Sequence, residues 1–281
     1  MCKTCGCSDE SQVTLTDLRS GRQVGLSQHT HHHDNNHGHD HHDHHHHHGP
    51  HTHEHVTTVD LATRILAKND RLAARNRGWL AGRGVTAINL LGAPGAGKTT
   101  LLERTIRTLR DRMPIYVIEG DQSTLNDAQR IDAAGCPAVQ INTGAGCHLD
   151  ADMVASGLEQ LNPPQGALVV IENVGNLVCP ALFDLGEHAK VVIASVTEGD
   201  DKPAKYPHMF RAADLVLLNK VDLLPYVSFS VQRFIEAARL VNPALEMIQV
   251  SATSGEGLEA WHAWLGAQSA RRPQRSHAMI G

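Results

Sequence analysis

The 281-residue sequence has few aromatic residues, no long apolar run and no excess of positive charge. Trp, Tyr and Phe together make up 4% of it, and the formal net charge is -5. No stretch approaches the roughly 18 consecutive apolar residues of a membrane-spanning helix, and the N-terminus lacks the charged and apolar blocks of a secretory signal. No basic stripe is available for nucleic acid. We therefore expect a cytoplasmic protein that binds neither membranes nor nucleic acid.

Residues 1–56 differ sharply in composition from the rest of the chain. They hold 16 of the 21 histidines and three of the six cysteines, but almost no clustered aliphatic or aromatic residues. Such a segment cannot bury enough apolar surface to fold. The sequence thus predicts a disordered metal-binding tail over residues 1–56 and one folded domain over residues 57–281, whose Val, Ile, Leu and Ala can fill a core.

The tail carries two groups of metal ligands. Cys2, Cys5 and Cys7 form a C-x-x-C-x-C cluster, in which three soft thiolates can converge on one ion. From His29 to His55 acidic residues are interspersed among many histidines, and neutral imidazole suits nickel, copper and zinc. We expect this irregular tract to hold several ions weakly and to release them as the pH falls. The alternatives are exposed redox cysteines and an engineered purification tag, although a tag is usually a uniform terminal run.

A buried-strand pattern over residues 85–91 runs directly into a glycine-rich loop, GAPGAGKTT. The loop matches G-x-x-x-x-G-K-[ST] and precedes a helix-forming segment, which is the context that a phosphate-binding loop requires. There, backbone N–H groups surround phosphate oxygens, Lys98 reaches the terminal phosphates, and the Thr99 hydroxyl can ligate magnesium. The residues expected to hold the nucleotide phosphates are Gly92, Gly95, Ala96, Gly97, Lys98, Thr99 and Thr100.

Strand and helix patterns alternate along the rest of the domain. Residues 57–83 have the apolar spacing of an amphipathic helix or helix pair. The further strand patterns cover residues 115–120, 137–141, 167–172, 190–196, 214–219 and 246–250. This alternation predicts an α/β fold of the P-loop NTPase type, with a mostly parallel sheet flanked by helices and ligands at the carboxyl ends of the strands.

Two strand ends indicate which base is bound. Asn219, Lys220 and Asp222 form an N-K-x-D element, and Ser251-Ala252 follows another strand. An Asp carboxylate can accept hydrogen bonds from N1 and N2 of guanine, whereas adenine offers no such donors. A site built around this carboxylate would leave it unpaired with ATP, so we expect a strong preference for GTP and GDP.

The magnesium and switch residues follow two other strands. Glu172 begins E-N-V-G at the position where GTPases often carry D-x-x-G, so Gly175 is the expected sensor of the γ-phosphate. Asp121 is the other candidate for magnesium or for positioning water, the alternative being an ordinary strand-end cap. We therefore predict that Lys98, Thr99, Asp121 and Glu172 serve catalysis. No catalytic arginine or glutamine is identifiable from the sequence, which predicts slow intrinsic hydrolysis with help from a partner or second subunit.

The cysteines of the folded domain divide into two kinds. Cys147-His148 follows a glycine-rich turn, where a helix start would favour a metal-ready thiolate. Cys179 lies shortly after Gly175, so an ion bound there would feel the nucleotide state. Two thiolates and one imidazole form an incomplete ligand set that water or a second subunit would complete. Cys136 has no such neighbours, and we interpret it as a core residue.

With tail and domain both considered, the chain resembles the HypB family, the nickel-incorporation GTPases of [NiFe] hydrogenase maturation. The resemblance covers nearly the whole sequence. It rests on MCKTCGC, GAPGAGKTT, VIEGDQ, NTGAGCHLDADM, IENVGNLVCPALFDLGE, SVTEGDDKP, KYPHMF, LLNKVDLLPY and SATSGEG.

The resemblance implies a deviant P-loop GTPase that forms a homodimer with GTP. It also implies a nickel or zinc site on Cys147, His148 and Cys179 near the dimer interface, and a tight nickel site in the Cys cluster. The implied partners are the zinc-containing nickel chaperone HypA and the hydrogenase large-subunit precursor. Two features depart from many relatives: this chain has both a Cys cluster and a His tract, and Ala93 stands where some related GTPases carry a second lysine.

Three functional hypotheses remain open at this stage. The first is a GTP-hydrolysing nickel metallochaperone that stores nickel and delivers it to the hydrogenase precursor. The second is a nickel or zinc storage protein whose GTPase domain only regulates partner assembly. The third is a urease accessory GTPase, although that family usually has proline between the cysteine and histidine that are adjacent here.

Overall fold

The computed structural model describes residues 13–26, 58–121, 126–144 and 146–270. The strands are β1 (Thr14–Asp17), β2 (Gln23–Gly25), β3 (Thr86–Gly92), β4 (Ile115–Asp121), β5 (Ala138–Asn142), β6 (Leu168–Glu172), β7 (Ala189–Ser195), β8 (Leu215–Asn219) and β9 (Glu246–Gln249). The helices are α1 (Thr58–Arg83), α2 (Lys98–Leu109), α3 (Asn126–Ala133), α4 (Ala151–Leu161), α5 (Cys179–Leu182), α6 (Lys202–Lys205), α7 (Pro207–Ala212), α8 (Val231–Val241) and α9 (Leu258–Ala270), with a 3-10 helix at Val221–Tyr226.

The described strands form one sheet in the order β2-β1-β5-β4-β6-β3-β7-β8-β9. Every pairing among the seven strands β3 to β9 is parallel, whereas β1 is antiparallel to both β2 and β5. This arrangement confirms the predicted α/β fold with a mostly parallel sheet. Each strand predicted from the sequence is present, with ends that differ by one residue at most.

The core lies on both faces of the sheet. Because side chains alternate along a strand, Ile88 and Leu90 of β3 face a cluster that α2 and α9 complete, whereas Ala87 faces the cluster beneath α1 and α4. Residues 57–83, predicted as a helix or a helix pair, form the single helix α1. The helices thereby cover the sheet and leave the carboxyl ends of the parallel strands to carry the polar loops.

The prediction of a disordered segment over residues 1–56 is wrong for the hairpin formed by β1 and β2. Leu15 pairs in register with Ile141 of β5, and Val13 and Leu15 are 4% and 3% exposed within the same apolar cluster. The short alternation of apolar and polar residues from Val13 to Thr16 is enough to form a strand, because β5 at the edge of the parallel sheet supplies the partner strand. The Cys cluster at residues 2–7 and the His tract from 29 to 55 lie outside the described residues, and the prediction for them stands untested.

The turn of this hairpin is closed by an aspartate. Asp17 accepts hydrogen bonds from the backbone N–H groups of Arg19 and Ser20, and Gln160 of α4 donates to its other oxygen. These bonds, led by the one from Ser20, lower the pKa of Asp17. The hairpin is therefore tied to the domain by polar contacts as well as by its apolar residues.

Among the residues described, none of the helices combines the length and the apolar composition that a bilayer crossing requires.

The hairpin should contribute measurably to the stability of the domain. Leu15→Ala removes a buried leucine side chain and should lower the free energy of unfolding by about 2–4 kcal/mol. Val24→Ala, at a position that is 40% exposed on β2, is the matched control and should change it by less than about 0.5 kcal/mol. Urea denaturation of the full chain measures both values. Equal, small effects of the two substitutions would show that the hairpin does not belong to the cooperative unit.

Candidate functional site

The phosphate loop connects β3 to α2 at the carboxyl edge of the sheet. Gly97 has φ 96°, a left-handed backbone conformation, and a Cβ atom there would lie 2.5 Å from Nδ2 of Asn219. A glycine is needed at this position for both reasons. The first turn of α2 begins at Lys98, so its unpaired backbone N–H groups face the loop and favour an anion.

Lys98 lies within the phosphate loop. Its side chain is buried, and Nζ donates to the carbonyl oxygens of Gly92 and Ala93 at 3.4 and 3.3 Å. These bonds are long and therefore weak. The ammonium group can exchange them for phosphate oxygens, which are stronger acceptors because they are charged.

A cavity of about 480 Å³ opens beside the loop. Its walls are formed by the phosphate loop and by the ends of the strands on either side. It is lined by Pro94, Gly95, Gly97, Lys98, Thr99, Thr100, Glu119, Gly120, Asp121, Asp127, Arg130, Glu172, Asn173, Val174, Gly175 and Lys220. All four predicted catalytic residues therefore line one cavity, together with the predicted phosphate sensor Gly175.

Glu172 contacts the phosphate-loop threonine directly. Oγ1 of Thr99 donates to Oε1 of Glu172 at 2.7 Å, while the buried Oε2 atom has no hydrogen-bond partner among the described residues. Burial raises the pKa of Glu172 to about 7. A hydroxyl and a carboxylate in contact, with a further carboxylate oxygen left over, are the hard oxygen donors that magnesium prefers. Asp121, at the end of β4, adds a carboxylate to the same cavity.

Glu119 is a residue of this site that the sequence reasoning missed. It is the direct neighbour of Glu172 in the pairing of β4 with β6, it is 3% exposed, and its Oε2 atom has no hydrogen-bond partner in the described structure. Burial first, and then the nearby charge of Glu172, raises its pKa to about 9. The signal was present in the sequence, since a glutamate two residues before Asp121 in an otherwise buried strand faces the same side of the sheet.

Arg130 is a second residue that was missed. It lies on α3, lines the cavity, and donates to Thr100 at 3.0 Å and to the carboxylates of Glu103 and Asp127 at 2.9 Å. No sequence pattern distinguishes it from the other arginines, because its position depends on how α3 packs against α2. Arg130 thus places a guanidinium group at the cavity and ties α3 to the start of α2.

The predicted base-binding residues meet behind the phosphate loop. Asn219 donates to the carbonyl of Ala96 at 2.9 Å and accepts from the backbone N–H of Ala252 at 3.1 Å, while Lys220 donates to Gly95 O at 2.7 Å. Asn219 therefore connects three segments: the phosphate loop, the loop that follows β8 and the loop that follows β9. Lys220 has φ 61°, which is uncommon for a residue with a side chain.

Asp222 and Ser251 complete this group. Ser251 is fully buried and accepts from Ser254 N at 2.9 Å. Oδ1 of Asp222 is buried without a hydrogen-bond partner among the described residues. A buried carboxylate oxygen with no donor is costly, and the N1 and N2 groups of guanine are donors that fit it.

The three predicted metal ligands of the domain converge. One ligand atom from each of Cys147, His148 and Cys179 lies within 4.8 Å of the other two, and Cys147 Sγ is 3.6 Å from His148 Nδ1. Burial lowers the pKa of His148 to about 4, so its imidazole is neutral and able to bind a metal near pH 7. The His148 ring also packs on Phe183, with centroids 3.9 Å apart.

Two details of the cysteine predictions are settled by the geometry. The expected helix start at Cys147 is wrong: α4 begins at Ala151, because Asp150 caps it by accepting from Met153 N at 2.8 Å. Cys147 and His148 therefore lie in the loop before the helix. Cys136 is buried in the apolar core as expected, and burial raises its pKa to about 12.

Comparison with known proteins agrees with this geometry. A family model described as the CobW/HypB/UreG nucleotide-binding domain matches residues 86–249. The hydrogenase maturation factor HypB of Escherichia coli strain K12 is 59% identical over 204 residues, which are 73% of this chain and 70% of that protein. The chain belongs to the HypB family.

Other HypB proteins match over similar or longer stretches. The HypB of Cupriavidus necator is 42% identical, with 96% of this chain and 89% of that protein covered. The crystal structure of HypB from Archaeoglobus fulgidus has a TM-score of 0.68 and 43% identity, and covers 73% of this chain and 100% of its own. HypB from Helicobacter pylori, solved in complex with nickel, has a TM-score of 0.68 and 35% identity, with 75% and 99% covered.

The buried glutamate pair predicts a specific pH dependence of stability. The folded, nucleotide-free chain binds a proton at Glu119 up to about pH 9, whereas the unfolded chain releases it near pH 4.5. The contribution of this carboxyl to stability therefore falls as the pH rises between these values. Glu119→Gln has no carboxyl to titrate at this position, so this pH-dependent loss of stability is absent from the variant. The melting temperature of the variant minus that of the parent should therefore increase with pH.

Thermal melts without nucleotide across this range test the expectation. Glu159→Gln, at a glutamate whose side chain is 68% exposed, is the matched control and should change the melting temperature much less than Glu119→Gln does. A difference between Glu119→Gln and the parent that stays constant with pH would contradict the assignment.

Proposed function

We propose that this chain is a GTP-hydrolysing nickel metallochaperone that binds nickel and delivers it to the large-subunit precursor of [NiFe] hydrogenase. The observation that carries the proposal is the segment between Glu172 and Cys179. It begins at a carboxylate in contact with the phosphate loop and ends at a thiolate of the Cys147–His148–Cys179 cluster. A change at the nucleotide therefore has a short covalent path to the metal ligands.

The nucleotide would be held by three groups of residues. The phosphate loop and Lys98 bind the phosphates, Asp222 with Ser251 and Ala252 selects guanine, and Gly175 senses the γ-phosphate next to Pro94. Thr99, Asp121 and Glu172 would hold a magnesium ion, which would supply positive charge to neutralise the phosphates. Lys98 stabilises the negative charge that develops on the leaving phosphate oxygens, and Asp121 orients the attacking water.

The nickel ion is the cargo of this reaction. Two thiolates and a neutral imidazole are soft and borderline donors that suit nickel or zinc, and a further ligand from water or a second subunit completes the set. The relative from Helicobacter pylori is a nickel complex, which supports nickel as the ion carried. Hydrolysis of GTP would alter the Glu172–Gly175 segment, weaken the metal site and give the transfer its direction.

The tail and the partners extend the same proposal. Cys2, Cys5 and Cys7 form a tight nickel site, and the His29 to His55 tract stores further ions. A HypA-type nickel chaperone exchanges metal with the chain, and GTP binding favours a homodimer that brings two metal sites together. Ala93 stands where some related GTPases carry a second lysine. Activation of GTP hydrolysis across that dimer therefore requires a different group.

Guanine selection can be tested at the carboxylate of Asp222. Asp222→Asn replaces one acceptor with a donor that faces the guanine N–H groups, so affinity for GDP should fall at least about tenfold, consistent with about 1.5–3 kcal/mol for a charged hydrogen bond. Glu256→Gln, at an exposed residue of the neighbouring loop, should leave it unchanged. Titration with a fluorescent GDP analogue measures both. Unchanged GDP affinity in Asp222→Asn would rule out the proposed base site.

The requirement for hydrolysis can be tested at the phosphate loop. Lys98→Ala should abolish GTP hydrolysis and nickel insertion into hydrogenase, because the ammonium group that stabilises the transition state is lost, and should spare nickel binding by the tail. Lys68→Ala, on the exposed side of α1, is the control and should behave like the parent. Phosphate release and hydrogenase activity in cells lacking the native gene are the measurements. Normal hydrogenase maturation by Lys98→Ala would favour the storage hypothesis instead.

A further inference from the structure

The loop that carries Cys147 and His148 is held from two sides by asparagine side chains. On one side stands α1: Asn69 accepts from Ala151 N at 2.9 Å and donates to Asp184 O at 2.7 Å. Asn76, about two helical turns further along α1, donates to Ala151 O and Leu185 O at 2.7 and 3.0 Å. These bonds fix the chain just beyond the metal ligands to a helix that does not line the nucleotide cavity.

On the other side stands Asn173, the residue after Glu172. It is 1% exposed, and its Oδ1 atom accepts from Leu149 N at 3.1 Å and from Val174 N at 3.0 Å. Leu149 directly follows His148. The side chain of one residue thus joins the nucleotide-sensing segment to the backbone beside a metal ligand.

Leu149 also packs on β4, the other strand that brings carboxylates to the cavity. A Cβ atom added to Gly120 would lie 2.7–2.9 Å from the side-chain carbons of Leu149, so the leucine rests directly on the backbone of β4 between Glu119 and Asp121. Leu149 is fully buried. It therefore contacts the ends of both strands that bring carboxylates to the cavity.

A chain of polar groups extends from Asn173 to Phe183, the residue that follows the short helix α5. Asn173 donates to Asn89 at 3.3 Å, Asn89 donates to Glu187 at 3.1 Å, and Glu187 is 3.7 Å from the ammonium group of Lys190. Lys190 in turn donates to the carbonyl of Phe183, on which the His148 ring packs. This second route from Asn173 therefore also ends at His148.

We propose that Asn173 is a positioning residue that transmits the nucleotide state from Glu172 to His148 through the hydrogen bond between its Oδ1 atom and Leu149 N. When the Glu172–Gly175 segment shifts in response to the γ-phosphate, Asn173 moves with it and displaces the backbone next to His148. The asparagines of α1 hold the chain in place at Ala151, just beyond Leu149, so the displacement is taken up on the His148 side of Leu149. This inference rests on the proposed function, because it requires that nucleotide controls the metal site.

The test measures how much the nucleotide changes metal affinity. The full chain carries Cys2→Ser, Cys5→Ser and Cys7→Ser, and cobalt(II) is titrated with GDP or with a non-hydrolysable GTP analogue bound. The thiolate-to-cobalt absorption band then reports on Cys147 and Cys179, since the His tract gives no thiolate band and Cys136 is buried in the core. We expect the two nucleotides to give affinities that differ at least about tenfold.

Three variants separate a positioning role from a merely structural one. Asn173→Ala should bring the ratio of the two affinities to within about twofold, because the link to Leu149 is lost. Asn69→Ala removes one hydrogen bond to Ala151, at the end of the same loop, and one to Asp184, and it should lower both affinities while keeping the ratio. Asn173→Asp retains an acceptor for Leu149 N and should keep most of the ratio; it also provides a folded variant at this position if the alanine variant fails to fold.

The outcomes are distinct for the two proposals. A parent chain with equal affinities in both nucleotides would overturn the nucleotide control of the metal site and this inference with it. A nucleotide-dependent parent would leave the proposed function intact. In that case, a ratio that survives in Asn173→Ala, or that is lost equally in Asn69→Ala or in a folded Asn173→Asp, would overturn the role of Asn173 alone.

Discussion

The parallel pairing of β3 with β6 is the constraint on which the rest of the site depends. It places the phosphate loop next to the end of β6, so that Thr99 and Glu172 meet at 2.7 Å although they are 73 residues apart in sequence. The chain that leaves β6 continues to Cys179, and Asn173 reaches the loop that holds Cys147 and His148. One strand end thereby borders both the cavity beside the phosphate loop and the Cys147–His148–Cys179 cluster.

The electrostatics of the cavity fit a domain that is incomplete without a cation. Glu119 and Glu172 are buried side by side with pKa values raised to about 9 and about 7, and Asp121 adds a further carboxylate. Among the described residues that line the cavity, the buried ammonium of Lys98 and the guanidinium of Arg130 oppose these carboxylates. Buried carboxylates close together are unfavourable unless protons or cations compensate them. Binding a nucleotide with its magnesium ion would supply that compensation, so the features that lower the stability of the free domain are the same ones that favour the bound state.

Local motifs were predictable from the sequence, whereas contacts that depend on packing were not. The phosphate loop, the N-K-x-D element and the seven parallel strands follow from patterns a few residues long, and the structure has them where they were expected. Arg130 was missed because its position depends on how α3 packs against α2. The side of the sheet that Glu119 faces could be predicted from its spacing to Asp121, but its contact with Glu172 depends on the register of β4 with β6. The β1–β2 hairpin was missed because its two buried side chains, Val13 and Leu15, acquire a core only from β5. Any test of the tail should therefore substitute the cysteines and histidines individually and keep residues 13–26 intact.

The central claim is that the nucleotide state sets the affinity of the Cys147–His148–Cys179 cluster for its ion. It is tested most directly in a single turnover: the full chain with Cys2→Ser, Cys5→Ser and Cys7→Ser is loaded with nickel and mixed with GTP, while the nickel–thiolate absorption band and phosphate release are followed together. The account predicts that the band changes with the time course of phosphate release in the parent, and that neither changes in Lys98→Ala. Phosphate release that leaves the nickel–thiolate band unaltered would contradict it.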